Sequence, residues 1–122
     1  MDYIEQLGAG AKAAEPAVSA MGTREKNSVL GAISAALRSH VTEIIGANQV
    51  DIDAARKNGM SEAMIDRLTL TEARINGMAD GVDKVISLPD PIGGVIGGGD
   101  LPNGLHVIKK RVPIGTIGII FE

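Results

Sequence analysis

The chain has 122 residues, of which 44% are hydrophobic, and its 12 basic and 15 acidic side chains give a formal charge of −3. That is the size and make-up of one ordinary folded domain rather than of a disordered chain. The acidic balance and 2% aromatic content argue against nucleic-acid binding, which needs clustered cations and stacking platforms. With no cysteine, these residues offer no disulfide, thiolate metal site or thiol nucleophile.

Ile4, Leu7, Ala11 and Ala14 fall at helical spacing, so a first helix is expected over the opening 20 residues, with Pro16 as its brake. Thr23 reads as the N-cap of a second helix, with Glu25 in its first turn. Leu30, Ile33, Leu37, Val41, Ile44 and Ile45 form its apolar stripe. Gly46 is the expected weak point. Val50, Ile52 and Ala55 continue the helix to a Lys57-Asn58-Gly59 stop. Ser61 caps a short helix through Leu68. Thr69-Leu70-Thr71-Glu72 reads as a capping box, with Thr69 as N-cap and Glu72 three positions on. Ile75, Met78, Ala79, Val82 and Ile86 share the face that follows, and Leu88-Pro89-Asp90-Pro91 ends it.

The composition then changes. Residues 92–104 hold six glycines and end in the turn signal Pro102-Asn103-Gly104. A half-exposed strand is expected over 105–112 and an apolar strand over 116–121. A strand buried on both faces belongs inside a covered parallel sheet, for which this chain has no other strands. The expectation is therefore a front section of a longer protein.

Chemical candidates are few. Gly93 to Gly99 carry no Gly-Lys-Ser/Thr ending and no strand–loop–helix context, so a flexible connector is favoured over a phosphate cradle. His40 and His106 lack partner ligands, and surface histidines are the plainer reading. Asp51 and Asp53 point apart on a helix. Asp80 and Asp83 share a face and read as solvated carboxylates. Lys109-Lys110-Arg111 reads as a wetted strand edge that discourages aggregation. There is no basic, apolar leader, and no apolar run approaches roughly 18 residues, so a soluble cytoplasmic protein is expected.

Arg111-Val112-Pro113-Ile114-Gly115-Thr116-Ile117-Gly118-Ile119-Ile120 resembles the strand that opens the dinucleotide-binding domain in the aldehyde dehydrogenase superfamily. Within that superfamily, three further stretches resemble the gamma-glutamyl phosphate reductase (glutamate-5-semialdehyde dehydrogenase) family. They are Ser61-Glu62-Ala63-Met64-Ile65-Asp66-Arg67-Leu68-Thr69-Leu70-Thr71-Glu72, Leu88-Pro89-Asp90-Pro91-Ile92-Gly93 and Pro102-Asn103-Gly104-Leu105. The resemblance covers roughly residues 20–122 in order.

The resemblance implies NADPH-dependent reduction of gamma-glutamyl phosphate to glutamate-5-semialdehyde in proline biosynthesis. The implied chemistry is acyl transfer to a cysteine thiolate followed by hydride reduction. That cysteine would lie outside this chain, leaving these residues inactive alone. By the same resemblance Ile120, Phe121 and Glu122 approach the NADP(H) cofactor, and Arg67, Leu68 and Thr69 lie near the substrate. No residue here is expected to be catalytic or to bind metal.

The expected architecture is mainly α with a C-terminal pair of β-strands, the N-terminal part of a Rossmann-like α/β fold. Residues 1–91 form the helical segment, 92–104 a Gly-rich linker, and 105–122 an arm strand followed by the first nucleotide-domain strand. The C-terminal strands are expected to pair with a second copy in a homo-oligomer. A non-catalytic helical interaction or oligomerisation module is the alternative function.

Overall fold

The computed structural model describes residues 2–120. Five helices precede one β-hairpin: α1 Tyr3–Ala20, α2 Thr23–Ser39, α3 Val41–Lys57, α4 Glu62–Leu68, α5 Glu72–Ile86, β1 Val95–Asp100 and β2 His106–Lys110. The mainly helical class with two C-terminal strands is the one expected, but the strands are not both the expected ones. The chain divides into two compact units, residues 25–88 and residues 1–24 with 89–122.

The helical unit is organised by aliphatic burial. Ile75 and Ala79 on α5 are fully buried, and Ile52, Ala55 and Ile65 form a cluster against which Met60 and Leu68 pack. Ser34 on α2 is 2% exposed and donates its hydroxyl to the Ala79 carbonyl at 3.3 Å. A serine on α2 facing an alanine on α5 lets the two backbones approach. Arg38, one turn on, donates to Ser34 Oγ, to Asp80 at 2.7 Å and to Asp83 at 2.9 Å. Asp80 and Asp83 are thus ion-paired across helices, where the sequence suggested plain solvation.

The break after α2 falls at His40, not at Gly46, which lies inside α3. His40 Nδ1 and Ser39 Oγ both turn back to the Ala36 carbonyl, at 2.9 and 3.1 Å. The Ala36 carbonyl also keeps the His40 N–H at 3.0 Å, and the break lies in the His40 backbone, at φ −108° and ψ 20°. The Lys57-Asn58-Gly59 stop is present as expected. Gly59 adopts φ +76°, its N–H reaches the Arg56 carbonyl at 3.0 Å, and Met60 N–H reaches that of Ala55 at 3.1 Å. These two bonds close a Schellman motif, for which glycine is favoured at the left-handed position.

Ser61 precedes α4 as its N-cap, without a side-chain capping bond. Thr69 is not the N-cap of α5. It ends α4, with its N–H and hydroxyl both on the Ile65 carbonyl at 2.9 and 2.7 Å. Thr71 is the cap, accepting the Arg74 N–H at 3.2 Å. Of two threonines spaced to do the work, the one already spent on the preceding helix is unavailable to the next.

In the other unit α1 runs through Pro16 to Ala20, contrary to the expected brake. The helix has no buried residue, so water can satisfy the carbonyl that proline leaves without a donor. Residues 95–100, expected as a flexible connector, form β1 and pair antiparallel with β2, with a register irregularity between Val95 and Gly97. The glycines permit close approach rather than flexibility. Gly98 has φ +149°, and a Cβ there would meet the Val107 carbonyl oxygen at 2.3 Å. The turn is closed by Leu101 N–H to Leu105 O and Gly104 N–H to Leu101 O, both 2.8 Å. Gly104 sits at φ +87°, in keeping with the Asn-Gly signal.

Thr71→Ala removes the α5 cap and is expected to cost about 1 kcal/mol. Urea unfolding followed by circular dichroism measures it, and an unchanged midpoint would contradict the assignment of Thr71 as the cap.

Candidate functional site

The segment resembling a cofactor strand leaves the hairpin by an extended ladder. Gly93 N–H donates to the Arg111 carbonyl, and Arg111 N–H to the Gly94 carbonyl, both at 2.9 Å. Beyond Arg111 the ladder stops. Residues 111–120 adopt no strand, which corrects the expected strand over 116–121 for its described part. The reason is the one the sequence raised: a strand apolar on both faces needs neighbours on both edges, and the described residues supply neither. Ile114, Ile119 and Ile120 are 89%, 69% and 93% exposed.

This segment is tethered to α1. Thr116 donates its hydroxyl to Glu15 Oε2 at 2.7 Å, and Lys12 reaches the same oxygen at 2.9 Å. Gly115 has φ +99°, and a Cβ there would lie 3.4 Å from Glu15 Oε1. The Thr116 hydroxyl, then Lys12, hold the Glu15 carboxyl below its usual range. Of the residues expected at the cofactor, Ile120 lies at the end of this tethered segment. Phe121 and Glu122 lie outside the described residues.

The residues expected near the substrate sit together where α4 ends, in the helical unit. Their backbone is held by side chains from α3 and α5. Arg67 is exposed, while Leu68 and Thr69 are half-buried. Asn48 on α3, 7% exposed, donates from Nδ2 to the Leu68 carbonyl at 2.9 Å and accepts the Leu70 N–H on Oδ1 at 2.7 Å. Arg74 on α5 donates to the Thr69 carbonyl at 2.6 Å and to the Asp66 carbonyl. It also grips the Asp66 carboxylate at 3.1 and 3.2 Å. The sequence reading missed Asn48 and Arg74. Asn48 was findable as a polar residue that extends the Ile44, Ile45 and Ile52 stripe. Arg74 carried no local signal.

The remaining candidates stay apart. His40 borders a shallow apolar depression with Ile33, Ala36, Leu37 and Ile44. His106 Nδ1 meets Asp100 Oδ1 at 2.7 Å across the hairpin, both side chains being exposed. Asp53 accepts from Gln49 at 2.9 Å. Among the described residues no group of three or more His, Cys, Asp or Glu could hold a metal ion.

No family model matches the chain. Curated relatives do. Gamma-glutamyl phosphate reductase of Salmonella enteritidis is 47% identical over 119 residues, covering 98% of this chain and 29% of the relative. That of Escherichia coli is 48% identical over the same length, covering 28% of the relative. The crystal structure of gamma-glutamyl phosphate reductase from Thermotoga maritima superposes with a TM-score of 0.87 at 34% identity, covering 93% of this chain and 27% of that one. The Saccharomyces cerevisiae structure gives 0.80 at 25% identity, covering 93% and 29%.

Fold and sequence thus align the chain with proteins named as reductases. It matches the N-terminal portion of the gamma-glutamyl phosphate reductases and spans 29% of the length of the Salmonella relative.

Because Glu15 titrates low when folded, its tether to Thr116 is intact above the ordinary glutamate value of 4.5 and is released as pH falls below it. The Thr116 amide shift, followed by NMR against pH, should move in that acid range. Glu15→Gln should abolish that titration, and a curve identical in the variant would assign it elsewhere.

Proposed function

We propose that this chain is the N-terminal section of an NADPH-dependent reductase that converts gamma-glutamyl phosphate to glutamate-5-semialdehyde in proline biosynthesis. The observation that carries the reading is the co-linear match of 119 residues, at 47% identity, to enzymes named for that substrate. The crystal structure of that enzyme from Thermotoga maritima, which superposes on 93% of this chain, supports the same reading.

Arg67, Leu68 and Thr69 are assigned to the substrate side. An exposed guanidinium suits a ligand bearing phosphate and carboxylate, because its planar donor fork matches both. Ile120, Phe121 and Glu122 are assigned to the cofactor side. The residues present do not fit a dinucleotide by themselves: Ile120 is 93% exposed and apolar, and the glycines of 97–99 are engaged in a hairpin. The sequence also lacks the cysteine that acyl transfer needs, so that nucleophile is assigned to residues outside these 122. A cytoplasmic location accords with such a role, and among the described residues no helix is long and apolar enough to cross a membrane.

The experiment is to read the coding sequence past Glu122, express all of it, and follow NADPH oxidation with the acyl phosphate supplied. The full product should turn over and the 122-residue chain should not. A natural stop codon after Glu122 would end the enzyme reading and favour an interaction module.

The unpaired outer edges of the β1–β2 ribbon and the exposed isoleucines beyond it support association of two copies through these strands. Light scattering on the chain should show a concentration-dependent dimer. A clean monomer at high concentration would remove that part of the proposal.

A further inference from the structure

Helix α4 has seven residues, far short of the roughly 12–15 needed for a helix to persist unaided. Its exit is nevertheless fixed from three directions. Thr69 closes back on the Ile65 carbonyl, Arg74 takes the Asp66 and Thr69 carbonyls, and Asn48 takes the Leu68 carbonyl and the Leu70 N–H. Asn48 is the buried member of this set. Its amide uses a donor and an acceptor on residues two apart, so it reads the linker backbone as a neighbouring strand would. An apolar side chain could fill the same space but would leave a carbonyl and an N–H unsatisfied, and it would not fix their direction.

Among the described residues Arg67, in the last turn of this helix, makes no hydrogen bond or ion pair and is exposed. Arg38 and Arg74, by contrast, are each held by two or more partners. The polar groups therefore immobilise the backbone on either side of one uncommitted cation. A site of this kind is preorganised in its backbone: the stretch that carries the charged group is fixed before a ligand arrives.

We propose that Asn48 is a positioning residue, which holds the Leu68–Leu70 backbone so that Arg67 is presented to the anionic end of the acyl-phosphate substrate. This rests on the assignment of Arg67 to Thr69 to the substrate side. Asn48 itself touches no substrate. It acts through the linker, and its loss is expressed as weaker substrate capture rather than slower chemistry.

The test uses the full-length protein encoded by the gene, assayed in the oxidative direction with glutamate-5-semialdehyde, NADP and inorganic phosphate. Arg67→Ala should raise the KM for phosphate about tenfold with kcat within about twofold. Asn48→Ala should do the same. Ile65→Val, which loosens the same core without touching the linker bonds, should leave KM unchanged at matched loss of thermal stability. Asn48→Gln keeps both an amide donor and an amide acceptor on a longer stem, so it should recover part of the affinity. It also serves as the readout should Asn48→Ala fail to accumulate.

If Arg67→Ala raises KM while the Asn48 variants do not, the positioning role is overturned and the substrate assignment stands. If Ile65→Val raises KM as much as Asn48→Ala, the effect is general loosening and the role is likewise overturned. An unchanged KM in Arg67→Ala removes the substrate assignment itself.

Discussion

A core without aromatic rings constrains everything else in the helical unit. Tyr3 and Phe121 are the sole aromatics of the sequence, and neither lies within residues 25–88. Burial must come from isoleucine, alanine and leucine, whose short reach requires helix axes to come close. Where α2 meets α5 that closeness rests on a small residue, Ser34, against the Ala79 carbonyl. It brings polar backbone into the interior, and the buried Ser34 and Asn48 side chains answer that need. No buried side-chain nitrogen or oxygen among the described residues lacks a partner. The tight aliphatic packing and the satisfied polar groups are two sides of one solution.

Particular glycines of the two units are used differently. Gly31, Gly46, Gly77 and Gly81 lie within helices, where an added Cβ would meet nothing within 4 Å. Gly98 and Gly115 are placed where a side chain would collide with a carbonyl oxygen or press on a carboxylate. In the hairpin unit glycine brings backbone to backbone and backbone to Glu15.

Much of this was legible in the sequence wherever a signal was local and uncontested. The apolar stripes of α2 and α5, the Gly59 stop, the Asn103-Gly104 turn and the proline end of α5 are each decided by residues within a turn of one another. What was not legible depended on competition or on distance. Thr69 and Thr71 both satisfy a capping pattern, and only the demand of Ile65 on Thr69 decides between them. The glycine run of 93–99 looks flexible until β2 is known to need close approach. Arg74 gains its meaning from carbonyls that the sequence does not show to be free. The Pro113–Ile120 segment carried the clearest family resemblance, yet its strand character depends on neighbours that the described residues do not include.

The uncharged, β-branched run from Thr116 to Ile120 has a consequence for how this polypeptide behaves in a cell. Such a run, exposed and unpaired, has the composition of a cross-β seed. Lys109, Lys110 and Arg111 stand immediately upstream as gatekeepers, placing like charges where two copies would otherwise stack in register. Their value is then greatest during synthesis, when the run has emerged and nothing yet covers it. Selection on these three cations would act on the yield of soluble chains rather than on turnover.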